Sequence, residues 1–145
     1  MKRRSAKPED YPLLTAVWRK SVRQTHNFLK EADFNQIESE LPSYFEQMDV
    51  QLWQEQNQLL GFSGVLDKKI EMLFLDPAFI GKGYGKQIIH TLIQEDDCQY
   101  VDVNEQNTAA RAFYQAVGFV EIGRSETDDA GRPYPILHLR KGSDT

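Results

Sequence analysis

The chain is poor in the residues that build covalent or metal frameworks, with one cysteine, three histidines and two tryptophans in 145 residues. Cys98 alone forms no internal disulfide and is too little for a metal cage, so no metal is expected. Long apolar runs are missing too. None approaches the ~20 residues of a membrane-spanning helix, which sets aside a membrane partner. Positive charge is in deficit, with 17 Lys and Arg against 22 Asp and Glu and a net charge of −5. Non-specific nucleic-acid binding needs a basic face that displaces counterions, so no nucleic-acid partner is expected. The acidic balance mildly favours a cationic partner and equally suits an ordinary solubilising surface. Behind the basic start Lys2-Arg3-Arg4 there is no apolar signal core, so a cytoplasmic location is the expectation. No repeat, low-complexity segment or Gly/Ser/Pro linker divides the chain. Residues 1–145 are read as a single domain, monomeric or homodimeric.

What is present is a clear change of hydrophobic period. Residues 2–6 read as an edge strand. Pro8 suits a helix start, and Leu13, Leu14, Val17, Trp18, Val22 and Phe28 recur at helical spacing. A second helix is predicted from Asp33 as N-cap, through Phe34, Ile37, Leu41, Tyr44, Phe45 and Met48, with Pro42 expected to kink or split it. From Val50 the pattern alternates. Gln56-Asn57 and Asp67-Lys68 mark turns around a returning strand at 59–66, and an apolar strand follows at 70–75. Then come a helix from 84 to about 94, a short strand at 100–103, a helix at 108–117, and a hairpin of 119–125 with 134–140. The order β-α-α-β-β-β-α-β-α-β-β predicts an α+β fold with a mixed, mostly antiparallel sheet flanked by helices.

The most informative segment is Leu73-Phe74-Leu75-Asp76-Pro77-Ala78-Phe79-Ile80-Gly81-Lys82-Gly83-Tyr84-Gly85-Lys86. Glycines at alternate positions between a buried strand and an amphipathic helix let the backbone come close to a ligand. The helix start behind them offers unpaired N–H groups and a positive dipole end, which suits a phosphate or pyrophosphate. A plain tight turn is the bland alternative. The dinucleotide fingerprint is excluded by its G-x-G-x-x-G spacing, and the Walker loop because Gln87 follows Gly85-Lys86.

The spacing resembles the pyrophosphate loop of the GNAT superfamily of acyl-CoA-dependent N-acyltransferases, Gln/Arg-x-x-Gly-x-Gly/Ala, here Ile80, Gly81, Lys82, Gly83, Tyr84 and Gly85. A second block, Asn107-x-x-Ala110-x-x-Phe113-Tyr114-x-x-x-Gly118-Phe119, is similar to the family as well, and the likeness covers nearly the whole chain. Ile80 departs from the usual Gln or Arg. Backbone N–H groups still hold the pyrophosphate in the family, and Lys82 or Lys86 could restore charge. Segments 123–135, Trp18-x-x-Ser21 and Thr25-His26-x-Phe28-Leu29 resemble a small bacterial subgroup, described as peptidyl-lysine N-acetyltransferases or as acetyltransferases of unassigned acceptor.

The resemblance implies the GNAT fold, acetyl-CoA as co-substrate and an amine acceptor, either a protein lysine or a small molecule. It places Tyr114 beside the CoA sulfur as proton donor to the leaving thiolate, where a core aromatic is the alternative. Asn107 contacts CoA in such proteins and is equally a helix N-cap. A main-chain N–H near Leu75, at a bulge where the family's central strands splay, would polarise the thioester carbonyl, with Leu73, Phe74 and Leu75 as packing residues. Glu71 is the one carboxylate in an otherwise apolar strand and shares parity with Leu73 and Leu75. It is the expected base, and an exposed strand end is its alternative. His26 is a second candidate, and Phe28, Asn104 and Tyr134 are candidate acceptor-pocket residues. The rival reading from another class is a non-catalytic acyl-CoA-binding sensor or partner-binding module.

Overall fold

The computed structural model describes residues 1–142 as strands β1 (Lys2–Ser5), β2 (Asp49–Glu55), β3 (Gln58–Leu66), β4 (Lys69–Leu75), β5 (Tyr100–Asn104), β6 (Phe119–Ser125) and β7 (Ile136–Lys141), with helices α1 (Tyr11–Thr25), α2 (Glu31–Glu46), α3 (Tyr84–Asp96) and α4 (Thr108–Ala116). The chain order is the predicted one. The strands form one seven-stranded sheet in the order β1-β2-β3-β4-β5-β7-β6. Only β4 and β5 run parallel; every other neighbour is antiparallel. The hairpin turns are local in origin. Gln56-Asn57 and Asp67-Lys68 all take positive φ, a backbone twist that matches the strands they join.

Two apolar clusters cover the two faces of the sheet. Leu14, Val17, Trp18 and Val22 of α1 and Phe34, Leu41 and Phe45 of α2 close over Val50, Leu52 and Phe62. On the other face, Ile88, Ile89 and Leu92 of α3 and Tyr114 of α4 pack with Trp53, Ile70, Val101, Val103, Leu137 and Leu139. No helix among the described residues is long and apolar enough to cross a membrane.

Four local expectations are corrected. First, α2 begins at Glu31 with Lys30 as N-cap, not at Asp33. The Asp33 carboxylate instead accepts the hydroxyl of Tyr134 and lies 3.8 Å from Arg132 Nε. Second, Pro42 does not split α2, which runs unbroken from Glu31 to Glu46. Its missing N–H costs one ladder bond, while Leu41 and Phe45 on either side keep both halves on the core. Third, β7 starts at Ile136, so Tyr134 belongs to the preceding loop.

The fourth correction bears on the site. The bulge beside β4 is at Glu71, not near Leu75, because Gly64 pairs with Met72 and the next residue, Val65, pairs with Ile70. Glu71 is the extra residue, and it breaks strict alternation. Ile70, Leu73 and Leu75 therefore reach the same cluster, whereas Met72 and Phe74 reach the other.

Candidate active site

Strands β4 and β5 pair only through Lys69 with Tyr100 and Ile70 with Val101. Beyond those pairs the strands part, β4 running on to Leu75 and β5 to Asn104. The gap is the mouth of a cleft of about 600 Å³. The glycine loop lies at the end of β4, and α4 closes the side. Of the residues singled out from the sequence, the cleft is lined by Glu71, Leu73, Phe74 and Leu75 from β4, and by Ile80, Gly81, Gly83, Gly85 and Lys86 from the loop and α3. Asn104, Asn107, Tyr114 and His26 also line it. Lys82, Tyr84, Phe28 and Tyr134 are not among the lining residues.

The loop's shape follows from its glycines. Gly81 and Gly83 have φ of 81° and 85°, and a Cβ at either would meet nothing within 4 Å. Glycine is required there by backbone conformation, and the space in front stays open to a ligand. Gly83 is the N-cap of α3. The ladder closes first at Gln87, whose N–H reaches Gly83 O at 3.2 Å. The N–H groups of Tyr84, Gly85 and Lys86 consequently have no intrahelical acceptor, and the helix dipole adds positive potential at that end.

On the opposite wall Asn107 is the N-cap of α4. Its Oδ1 accepts the Ala110 N–H at 3.1 Å, which leaves the side-chain NH2 as a donor. Tyr114 is buried, with its ring held against Phe113 and Phe119 at 5.1 and 5.7 Å. Its hydroxyl has no hydrogen-bond partner among the described residues, and no buried side-chain oxygen or nitrogen there lacks one, so the hydroxyl reaches the open cleft. Burial pushes the phenol well above its ordinary value. Tyr114 is therefore a protonated donor at neutral pH.

His26 caps α1. Thr25 Oγ1 donates to Ser21 O at 2.8 Å, so the 2.7 Å contact between Thr25 Oγ1 and His26 Nδ1 uses the proton on Nδ1. Nε2 is left as an acceptor. Burial lowers the imidazole from 6.5 to about 4, which keeps it neutral. The rings of Phe28 and Tyr134 meet at a tilt of 54° with centroids 6.1 Å apart, and Tyr134 Oη accepts the Lys30 N–H at 3.1 Å. That pair ties the start of α2 to the loop before β7.

Two charged residues of the site escaped the sequence reading. Asp102 lines the cleft from β5, and Lys69 ion-pairs with Asp102 at 2.7 Å and with Glu71 at 3.3 Å. The signal was available. Val101 and Val103 alternate with Asp102, so one face of a short strand carries a carboxylate next to Asn104. The remaining reactive group, Cys98, is fully buried at the end of α3. Burial, with Asp96 and Asp97 nearby, pushes its thiol up to about 11, so it offers no thiolate.

Known proteins resemble this chain in sequence and in fold. The family described as Acetyltransferase (GNAT) domain matches residues 16–134. The peptidyl-lysine N-acetyltransferase YjaB of Salmonella typhimurium is 36% identical over 139 residues, spanning 94% of each chain. The solution structure of apo YjaB from Escherichia coli superposes with a TM-score of 0.84 at 34% identity, covering 96% of this chain and 95% of that one. The fold is also that of the PaiA N-acetyltransferase of Thermoplasma acidophilum, solved in complex with coenzyme A, at a TM-score of 0.69 and 18% identity, covering 98% of each chain. With its parted central strands, glycine loop and α4 tyrosine, this chain belongs to the GNAT family of acetyltransferases.

Proposed function

We propose that the chain moves the acetyl group of acetyl-CoA to a primary amine by direct attack in a ternary complex, with a protein lysine ε-amine as the acceptor. The observation that carries the reading is a single cleft joining the glycine loop to the unpartnered hydroxyl of Tyr114. The open space before Gly81 and Gly83 and the free N–H groups at the start of α3 fit a pyrophosphate. Lys86 adds charge there, and Asn107 supplies a neutral donor farther along the cleft.

Each chemical demand has a group to meet it. The β5-facing N–H groups of β4 beyond Ile70 are not used by β5 and can hydrogen-bond the thioester carbonyl as its oxygen gains charge. Tyr114 donates its proton to the departing sulfur. A lysine amine, with pKa near ~10.4, must lose a proton before it attacks. Glu71, in the bulge and on the cleft, is the proposed base, acting through water. His26 Nε2 is an uncharged acceptor on the same cleft. No residue need be acylated, and Cys98 is out of reach of the chemistry. The names of the YjaB relatives support a peptidyl lysine over a small amine.

The test is thiol release from acetyl-CoA with and without a lysine-containing peptide, alongside spermidine and free amino acids. Release that depends on the peptide supports the reading. Stabilisation by CoA with no amine-dependent release would leave an acyl-CoA-binding module instead. Glu71→Gln should lower kcat and remove the acidic limb of its pH profile. An intact profile would dismiss Glu71 as the base.

A further inference from the structure

Beyond the proposed donor and base, one connected set of polar side chains crosses four adjacent strands. Lys69 Nζ of β4 sits 2.7 Å from Asp102 Oδ2 on β5 and 3.3 Å from Glu71 Oε1. His138 Nδ1 of β7 is 2.8 Å from Asp102 Oδ1, and Ser125 Oγ of β6 is 2.7 Å from His138 Nε2. A carboxylate only accepts, so in the neutral ring Nδ1 carries the proton and Nε2 accepts the Ser125 hydroxyl. The order of groups is that of a hydrolase triad, yet Ser125 does not line the cleft in which a thioester would lie. Asp102 and Glu71 do line it.

The sheet explains why this set is accessible. Val101, Val103, Leu137 and Leu139 point into the cluster under α3 and α4, so Asp102 and His138 between them point to the opposite face. On that face the cluster under α1 and α2 draws its strand residues from β2, β3 and β4. Over β5 and β7 the side chains of Asp102 and His138 remain 25% and 36% exposed.

We infer that Asp102 is the carboxylate on which the acceptor's ammonium docks, with Lys69 and His138 as its positioning residues. The inference rests on the acetyl-transfer reading and adds to it the residue that selects a primary alkylammonium. Lys69 already displays the chemistry, as one ε-ammonium held between two carboxylates. Burial pulls Lys69 down, but its hydrogen bond to Asp102 and the charges of Asp102 and Glu71 outweigh that and raise it. The ammonium therefore stays charged. Lys69, Asp102 and Glu71 together, two carboxylates against one ammonium, carry a single negative charge. Arg140, two residues along β7 on the same face, stacks over Tyr100 at 5.9 Å rather than on Asp102. Each Asp102 oxygen has two lone pairs, and Lys69 and His138 take one apiece. An incoming ammonium finds both a vacant acceptor direction and the charge that needs neutralising. Docking there sets the amine beside Glu71, the group proposed to take its proton.

The chain's three histidines make the test tractable. The free protein, without CoA, is titrated with Nα-acetyl-lysine amide while the imidazole resonances are followed. His138 should shift and saturate, His90 on the exposed side of α3 should not, and Asp102→Asn should abolish the shift while leaving the His90 signal in place. A His138 signal that stays fixed, or moves equally in Asp102→Asn, overturns the inference. In kinetics, Asp102→Asn should raise the acceptor KM about tenfold or more, the value of a lost charged hydrogen bond, with acetyl-CoA KM within about twofold. His138→Leu should raise the acceptor KM as well, and His138→Asn, whose amide N–H stands near the place of Nδ1–H, should restore it. A fall in kcat with unchanged acceptor KM in Asp102→Asn would also overturn docking. Absence of turnover in the wild type would count against acetyl transfer, whereas the histidine titration decides the docking site without CoA.

Discussion

Gly85 and Phe113 meet where α3 and α4 come together: a Cβ at Gly85 would lie 3.4 Å from Phe113 Cζ and 3.6 Å from Leu75 Cδ1. The two sequence blocks that carry the family likeness are thus in contact, with the end of β4 beside them. A cleft that must hold a phosphate loop and a tyrosine at fixed separation has its two walls joined at this point. One methyl group fits at those distances, and a branched side chain does not.

Gly85→Ala is accordingly expected to be near neutral in stability. The gain of up to about 1 kcal/mol from replacing glycine in a helix is set against the close contact. Gly85→Val should lose about 1–3 kcal/mol by overpacking, with a lower Tm in thermal denaturation. A valine variant as stable as the wild type would show that this contact does not hold α3 to α4.

Much of this architecture was legible because its causes are local. Polar pairs such as Gln56-Asn57 and Asp67-Lys68 take left-handed turns on their own account, and the helices announce themselves by period. The glycine loop, Asn107 and Tyr114 form a motif whose spacing survives in one dimension. What escaped depends on distant partners. The bulge at Glu71 is set by the pairing of Gly64 and Val65 on another strand. Asp33 looked like a helix cap, but the fold commits its carboxylate to Tyr134, 101 residues away. Nothing in the sequence links Lys69, Asp102 and His138, which come together only because the order β4-β5-β7 sets their strands side by side.

Tyr114→Phe separates the chemical role of the hydroxyl from its packing role. The hydroxyl has no partner within the described residues, so its removal should leave Tm unchanged. Loss of the proton donor should lower kcat roughly 100-fold, with KM for acetyl-CoA little altered. Unchanged turnover in a stably folded Phe variant would remove Tyr114 from the chemistry.

The pH dependence of stability should report His26. Its imidazole is lowered from 6.5 to about 4 by burial, so between those values the unfolded chain binds a proton that the folded chain refuses. The stabilisation is fully present above pH 6.5 and is lost as pH falls through about 4. His26→Gln should therefore flatten the fall in the urea midpoint between pH 7 and pH 4.5. If both proteins lose stability in parallel across that window, His26 is not held neutral by the fold.

Ile80 offers the most direct probe of the phosphate site, because it is 41% exposed and lines the cleft at the mouth of the loop. Its neighbours at the start of α3 contribute N–H groups and a dipole, but the side chain itself brings no charge. Ile80→Arg should add a charge-assisted hydrogen bond to a bound pyrophosphate and tighten CoA binding several-fold at low ionic strength. Because the new guanidinium is solvent-exposed, most of that gain should vanish near 1 M salt, where screening reaches only about 3 Å. Desphospho analogues lacking the pyrophosphate, such as acetyl-pantetheine, should bind the variant and the wild type alike. Calorimetry with both ligands separates the cases. A gain confined to CoA puts the pyrophosphate at this loop, and an equal gain with acetyl-pantetheine would move it elsewhere.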